Sequence, residues 1–226
     1  MNGRKTLRRM TRKRVAILIS GRGSNMAALI DATKDDSFPA EIALVLSNRP
    51  DAAGLDRARR ERVRTVVLDH RPYAGDRVAF EQTLQSILDE HSIELVCLGG
   101  FMRLFTAQFV LRWQGRMLNI HPSLLPAFKG LDPHGQALAA GVKISGATVH
   151  LVTVDVDAGP IVAQSAVAVH EDDSRETLAA RVIEIEHRIY PHALRFLAEG
   201  RVRVVGGRCA IEGARSPAGA LVVPQI

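Results

Sequence analysis

Short continuous apolar runs alternate with stretches of helical periodicity through the first half of the chain. Val15 to Ser20 (V-A-I-L-I-S) is a buried-strand run, followed at once by G-R-G-S-N and then by Met26, Leu29 and Ile30 at helical spacing. That order predicts strand, tight turn, helix. Ile42 to Ser47 gives a second strand, Ala52 to Arg62 a charged helix, and Thr65 to Leu68 a short third strand. From Asp76, the apolar set Phe80, Leu84, Ile87 and Leu88 keeps the spacing of an amphipathic helix and leads into a fourth strand, Leu95 to Leu98. Gly99-Gly100 turns the chain before F-M-R-L-F. A helix from Thr106 to Trp113 and a fifth strand at Met117 to His121 follow. Five buried strands with helical patterns between most of them predict a doubly wound, mostly parallel α/β sheet, Rossmann-like, with helices on both faces.

The pattern changes after His121. Gly135 to Gly141 has room for only a short helix, while Ala147 to Val154 and Ile161 to Val169 read as strands joined by D-V-D-A-G-P. They are close enough to pair antiparallel, giving the sheet an antiparallel C-terminal portion. Asp173-Ser-Arg-Glu176 has the spacing of a capping box. The helix it opens carries Leu178, Val182, Ile185, Ile189 and Ala193 on one face and is expected to run to Glu199, where Gly200 stops it. Val202 to Val205 and Cys209 to Ile211 predict a terminal hairpin around Gly206-Gly207. The expected organisation is a basic extension over 1–13, one catalytic domain over 14–200, and a hairpin and tail over 201–226.

With 46% hydrophobic and 24% charged residues in 226, the composition is that of an ordinary globular protein. The net charge of +6 is misleading, because Met1 to Arg14 holds seven of the thirty basic residues and no acid. This arm lacks an apolar h-region; the readings open to it are a poorly ordered extension, an import sequence or a nucleic-acid arm, the first being the plainest. The remaining body is nearly neutral, so anionic ligands must be drawn by local groups in a pocket. Two distant cysteines, Cys97 and Cys209, make neither a disulfide framework nor a metal site. No stretch reaches membrane-spanning length. A cytoplasmic protein acting on small molecules, with no metal, nucleic acid or membrane partner, is expected, as a monomer or homodimer.

Two constellations carry candidate chemistry. In Gly21 to Asn25 two glycines permit a sharp turn, and the backbone N–H groups opening the next helix offer an anion site. A dinucleotide reading lacks its third glycine, because Met26 stands there, and the second strand ends in Ser47-Asn48-Arg49 without an acid. Arg49 keeps an NADP-dependent oxidoreductase open as an alternative. The second constellation is Asn119 and His121, two apart on one strand and so on one face, at the end that Pro122 forces on the strand. Asp155 and Asp157 follow in a glycine-containing loop of the same half. An acid reaching His121 would favour and hold its charged form, letting imidazolium and the Asn119 amide stabilise a developing oxyanion. A strand-end histidine standing alone is more often structural.

S-G-R-G-S-N (20–25), G-G-F-M-R-L (99–104), L-N-I-H-P-S-L-L-P (118–126), T-V-H (148–150) and D-A-G-P (157–160) together resemble the formyltransferase family. G-x-G-S-N is similar to its glycinamide ribonucleotide-using branch, and the likeness runs from Arg14 to Gly200. The resemblance implies transfer of a formyl group from the co-substrate 10-formyltetrahydrofolate to the primary amine of glycinamide ribonucleotide in purine biosynthesis, a step of one-carbon metabolism. It implies Asn119, His121 and Asp157 as catalytic; Gly23, Ser24, Asn25, Ile183, Glu184, Ile185 and Glu186 at the ribonucleotide; and Arg77, Met102, Arg103, Leu104, Phe105, Thr153, Val154, Asp155 and Val156, with Asn119 and Asp157, at the folate. Formyltetrahydrofolate hydrolase is the alternative within the same chemistry, and it is expected to carry a regulatory domain for which there is no room. Leu131-Asp132-Pro133-His134 departs from the family pattern in having an acid at Asp132.

Overall fold

Alternate residues of β1 (Lys13–Ile19) face opposite layers, and that alternation organises the molecule. Val15, Ile17 and Ile19 pack with Met26 and Leu29 of α1 (Ser24–Thr33) and with Tyr190 and Leu194 of α6 (Arg175–Ala198). Ala16 and Leu18 face Phe80, Leu84 and Leu88 of α3 (Arg77–Glu90) and Phe109 of α4 (Ala107–Arg112). Full burial of side chains such as Leu84 and Leu88 contributes roughly 1.5–3 kcal/mol each. The computed structural model describes residues 11–215, 218–219 and 222–223. Most of the basic arm lies outside them, but the Arg12 side chain bonds the carbonyls of Thr33 and Ala40, so it already belongs to the body.

The seven-stranded sheet has the order β3-β2-β1-β4-β5-β6-β7. Besides β1 it contains β2 (Ala40–Ser47), β3 (Thr65–Val67), β4 (Leu95–Leu98) and β5 (Met117–His121), all parallel. β6 (Ile144–Leu151) and β7 (Ile161–Ala168) are antiparallel. α2 (Gly54–Arg60) follows β2, α5 (Pro133–Ala139) follows β5, and β8 (Val202–Val205) pairs with β9 (Arg208–Ile211) in a separate hairpin. The chain changes direction across the sheet between β1 and β4. The loops after those strands and after β5 therefore gather at one edge, where ligands collect in such folds.

Several expected boundaries are corrected. β6 begins three residues before Ala147 and ends at Leu151, because the return to β7 closes there: Leu151 N–H donates to Pro160 O (3.0 Å). A Cβ on Gly159 would lie 1.7 Å from Leu151 O, so glycine is required at that approach. α5 starts two residues before Gly135, since Asp132 accepts the Gly135 N–H and Pro133 suits a first helical position. α2 is shorter than 52–62. The α6 cap is Ser174 exchanging bonds with Thr177, not with Glu176, while Asp173 turns to Arg181. The buried face of α6 is Leu178, Val182, Glu186, Tyr190 and Leu194, a row of every fourth residue, with Ala193 buried beside it as expected; Ile185 and Ile189 only flank it.

Candidate active site

At the carboxyl end of β5, Asn119 and His121 lie opposite His150 and Thr148 of β6. Asn119 Nδ2 is 3.2 Å from His150 Nε2, and His150 Nδ1 is 3.0 Å from the carbonyl of Leu151. Asp157, held in a left-handed conformation (φ 50°), places one carboxylate oxygen 3.3 Å from His121 Nδ1 and the other 3.7 Å from His150 Nε2. Asp157 also accepts the Gly130 N–H at 3.0 Å, and His121 Nε2 donates to Phe128 O at 2.9 Å. His121 thus has an acceptor at each ring nitrogen. Burial pushes the Asp157 carboxyl upward, but the His150 ring, the Gly130 N–H and the His121 ring outweigh it and hold the group below the usual aspartate value.

Thr148 fixes the segment that follows β5. Its hydroxyl donates to Ser123 O (2.7 Å) and accepts from Leu125 N–H (3.0 Å). Asn119, His121 and Asp157 are brought together, and His150 joins them, a residue to which the sequence reading gave no role. With β6 placed from Ile144, period two puts Thr148 and His150 on one face, and that was the available signal.

Facing this group is the turn after β1. Gly23 (φ 68°) caps α1 with no side-chain bond to its first N–H groups, leaving them for a ligand. Gly54 braces the turn from behind: its N–H donates to Gly21 O (3.0 Å), and an added Cβ would sit 2.6 Å from Ile19 Cδ1. The Asn25 amide donates to Glu186 Oε2 at 2.7 Å across 161 residues of sequence, while Asn25 Oδ1 is buried and unpartnered. Glu186 is 6% exposed, so it is no solvated helix-face carboxylate; burial raises its carboxyl above the ordinary value, partly offset by Asn25. Of its neighbours, Ile183 and Ile185 are half-buried and Glu184 is exposed. Tyr190, one turn on, places its hydroxyl 3.0 Å from Leu98 O and 3.1 Å from Leu118 O, tying the end of β4 to the start of β5.

The residues expected at the folate lie on two loops. Met102 and Leu104 are 69% and 60% exposed, Arg103 lies over the Phe80 ring at 4.9 Å, and Phe105 stacks between Phe101 and Phe109. Val154, Asp155 and Val156 are exposed ahead of Asp157, and Thr153 Oγ1 donates to Asp155 O at 3.1 Å. Asp155 is not the acid at His121. Arg77 is the exposed first residue of α3. Arg49, the basis of the NADP reading, is paired with Asp51 at 2.8 Å. In the departing loop, Asp132 bridges Arg175 at 3.0 Å, and burial lowers His134, whose Nδ1 has no partner. Among the described residues no group of three or more His, Cys, Asp or Glu is arranged to hold a metal ion, and no helix is long and apolar enough to cross a membrane.

The doubly wound sheet with its antiparallel flank thus carries an open anion turn after β1 and an Asn–His–Asp cluster at the end of β5. A family model described as formyl transferase matches residues 13–194. The chain belongs to that formyl transferase family. Its relatives of similar length are phosphoribosylglycinamide formyltransferases: that of Escherichia coli (strain K12) is 40% identical over 203 residues, 90% of this chain and 95% of that protein. The solved glycinamide ribonucleotide transformylase 1 from Symbiobacterium toebii is 46% identical with a TM-score of 0.86, covering 89% of this chain and 94% of that one. The trifunctional purine biosynthetic protein adenosine-3 of Bos taurus is 51% identical over 191 residues, 84% of this chain; the chain spans only 19% of that longer relative.

Proposed function

We propose that this chain is a phosphoribosylglycinamide formyltransferase, moving the formyl group of 10-formyltetrahydrofolate to the primary amine of glycinamide ribonucleotide. The observation that carries the reading is the side-chain chain Asn119–His150–Asp157–His121 at the end of β5, between the anion turn and an exposed apolar strap. The open first turn of α1 suits the phosphate, and Asn25 Oδ1 with Glu186 supplies acceptors for hydroxyl or amine donors of the same substrate. Met102 to Phe105 and Thr153 to Asp157 flank the place for the pterin, with Arg77 at its outer side.

In this reading Asn119 and His121 stabilise the oxyanion formed as the amine nitrogen bonds to the formyl carbon. Because Asp157 engages Nδ1, Nε2 is the donor left for the substrate and has to exchange the Phe128 carbonyl for the oxyanion. His150 holds the Asn119 amide in place. Asp157 holds the His121 ring in place and orders a water that carries the amine proton to the folate N10 as the carbon–N10 bond breaks. Following folate absorbance with and without glycinamide ribonucleotide tests this. Turnover only with the amine supports transfer; turnover on the folate alone would mean hydrolysis, and NADPH consumption an oxidoreductase.

A further inference from the structure

Residues 101 to 105 form an extended strap that, among the described residues, makes no backbone–backbone hydrogen bond to the rest of the chain. An unpaired segment is expected to wander unless side chains supply the missing partners. Here they do so at both ends. Ser20 Oγ accepts the Met102 N–H at 2.8 Å and donates to Asn48 Oδ1 at 2.5 Å; the His70 ring in turn donates from Nδ1 to Asn48 O at 2.8 Å. The ends of β1, β2 and β3 are thereby linked to the strap. At the other end Glu81 of α3 accepts the Thr106 N–H at 2.6 Å with one oxygen and the Thr106 hydroxyl with the other. Ser20, Asn48 and Glu81 are buried, and each bond they make replaces one with water. Between the anchors the strap alternates, Phe101 and Phe105 turned in and Met102 and Leu104 turned out.

We propose that Ser20 and Glu81 are positioning residues that pin this strap from its two ends and so preform the surface on which the folate is held. The inference rests on the function proposed above. Neither residue touches the reacting atoms; each acts through Met102 or Thr106.

The test compares Ser20→Ala, Glu81→Ala and the shape-preserving Glu81→Gln with the wild type, in steady-state kinetics on both substrates and in amide hydrogen exchange. Loss of one such bond is expected to raise the KM for 10-formyltetrahydrofolate about tenfold. The ribonucleotide KM and the saturated kcat stay unchanged, and the Met102 and Thr106 amides exchange faster. Glu81→Gln, which keeps an acceptor for Thr106, remains near wild type. An unchanged folate KM in both alanine variants, or a joint shift of both KM values, kcat and Tm, overturns the anchoring role. A wild type that turns over no formyl folate refutes the parent reading, whereas an active wild type with unaffected variants refutes the anchoring alone.

Discussion

Glu186 is buried on α6 with Asn25 as its hydrogen-bond donor and, among the described residues, no cation paired with it, a costly arrangement for a carboxylate. Its folded-state value is raised by burial, so its stabilising contribution is present at low pH and lost as pH rises through that value. At neutral pH the charge therefore opposes folding. Glu186→Gln is expected to raise Tm by an amount that grows as pH climbs above the ordinary carboxylate value and then levels off, while the ribonucleotide KM rises about tenfold through loss of a charge-assisted bond. Melts across that pH range and kinetics on both variants check the pair of effects. The sequence showed the Asn119, His121 and Asp157 trio, because alternation and Pro122 place the first two and a glycine-containing turn presents the third. It did not show His150, since a β6 drawn from Ala147 carries no fixed register against β5. Nor did it decide the burial of Glu186, which lies at the edge of the apolar stripe and suits a cleft or solvent equally until its place in an every-fourth-residue row is known.

Among the elements, the role of α2 is read from its first residue. Gly54 meets the turn after β1 so closely that an added Cβ would lie 3.0 Å from Gly21 O and 3.3 Å from Gly23 Cα. Gly54→Ala is expected to destabilise the fold by about 1–3 kcal/mol, as overpacking does. It also displaces the turn, so the ribonucleotide KM rises while the folate KM holds. Chemical denaturation and two-substrate kinetics measure the two together. This bracing was hidden in the sequence, where Ala52 to Arg62 reads as one charged helix and close backbone approach leaves no periodic trace. The parallel strands were legible because burial on both faces makes them continuous apolar runs. Of the antiparallel pair, β7 was legible, but β6 was displaced by three residues because its end is set by the tight approach of Gly159 to Leu151 O.

Across the whole molecule the parallel half supplies binding turns and the antiparallel flank supplies His150 and Asp157, so the site exists only when both are folded onto β5. Asp173 and Asp157 are among the carboxylates that shape its acid response. The Arg181 guanidinium holds Asp173 far below the usual range, and Asp157 is also lowered, the surrounding His and N–H groups overcoming burial. Groups depressed in the folded state contribute stability above their unfolded values and lose it as pH falls through the folded ones. Stability is therefore expected to fall on acidification below the ordinary carboxylate range, and Asp173→Asn to lower stability at pH 7 while flattening that acid limb, as urea unfolding from pH 7 to pH 3 would show. The seven-strand order was legible only in class, because local patterns do not state which strands become neighbours. The most direct measurement of the central claim is single-turnover formyl transfer by His121→Ala and Asp157→Asn at saturating substrates, with Tm recorded beside it. Loss of one oxyanion donor corresponds to on the order of 3 kcal/mol, so a fall of about a hundredfold is predicted in proteins that still melt cooperatively. Wild-type rates in a folded His121→Ala protein would contradict the account.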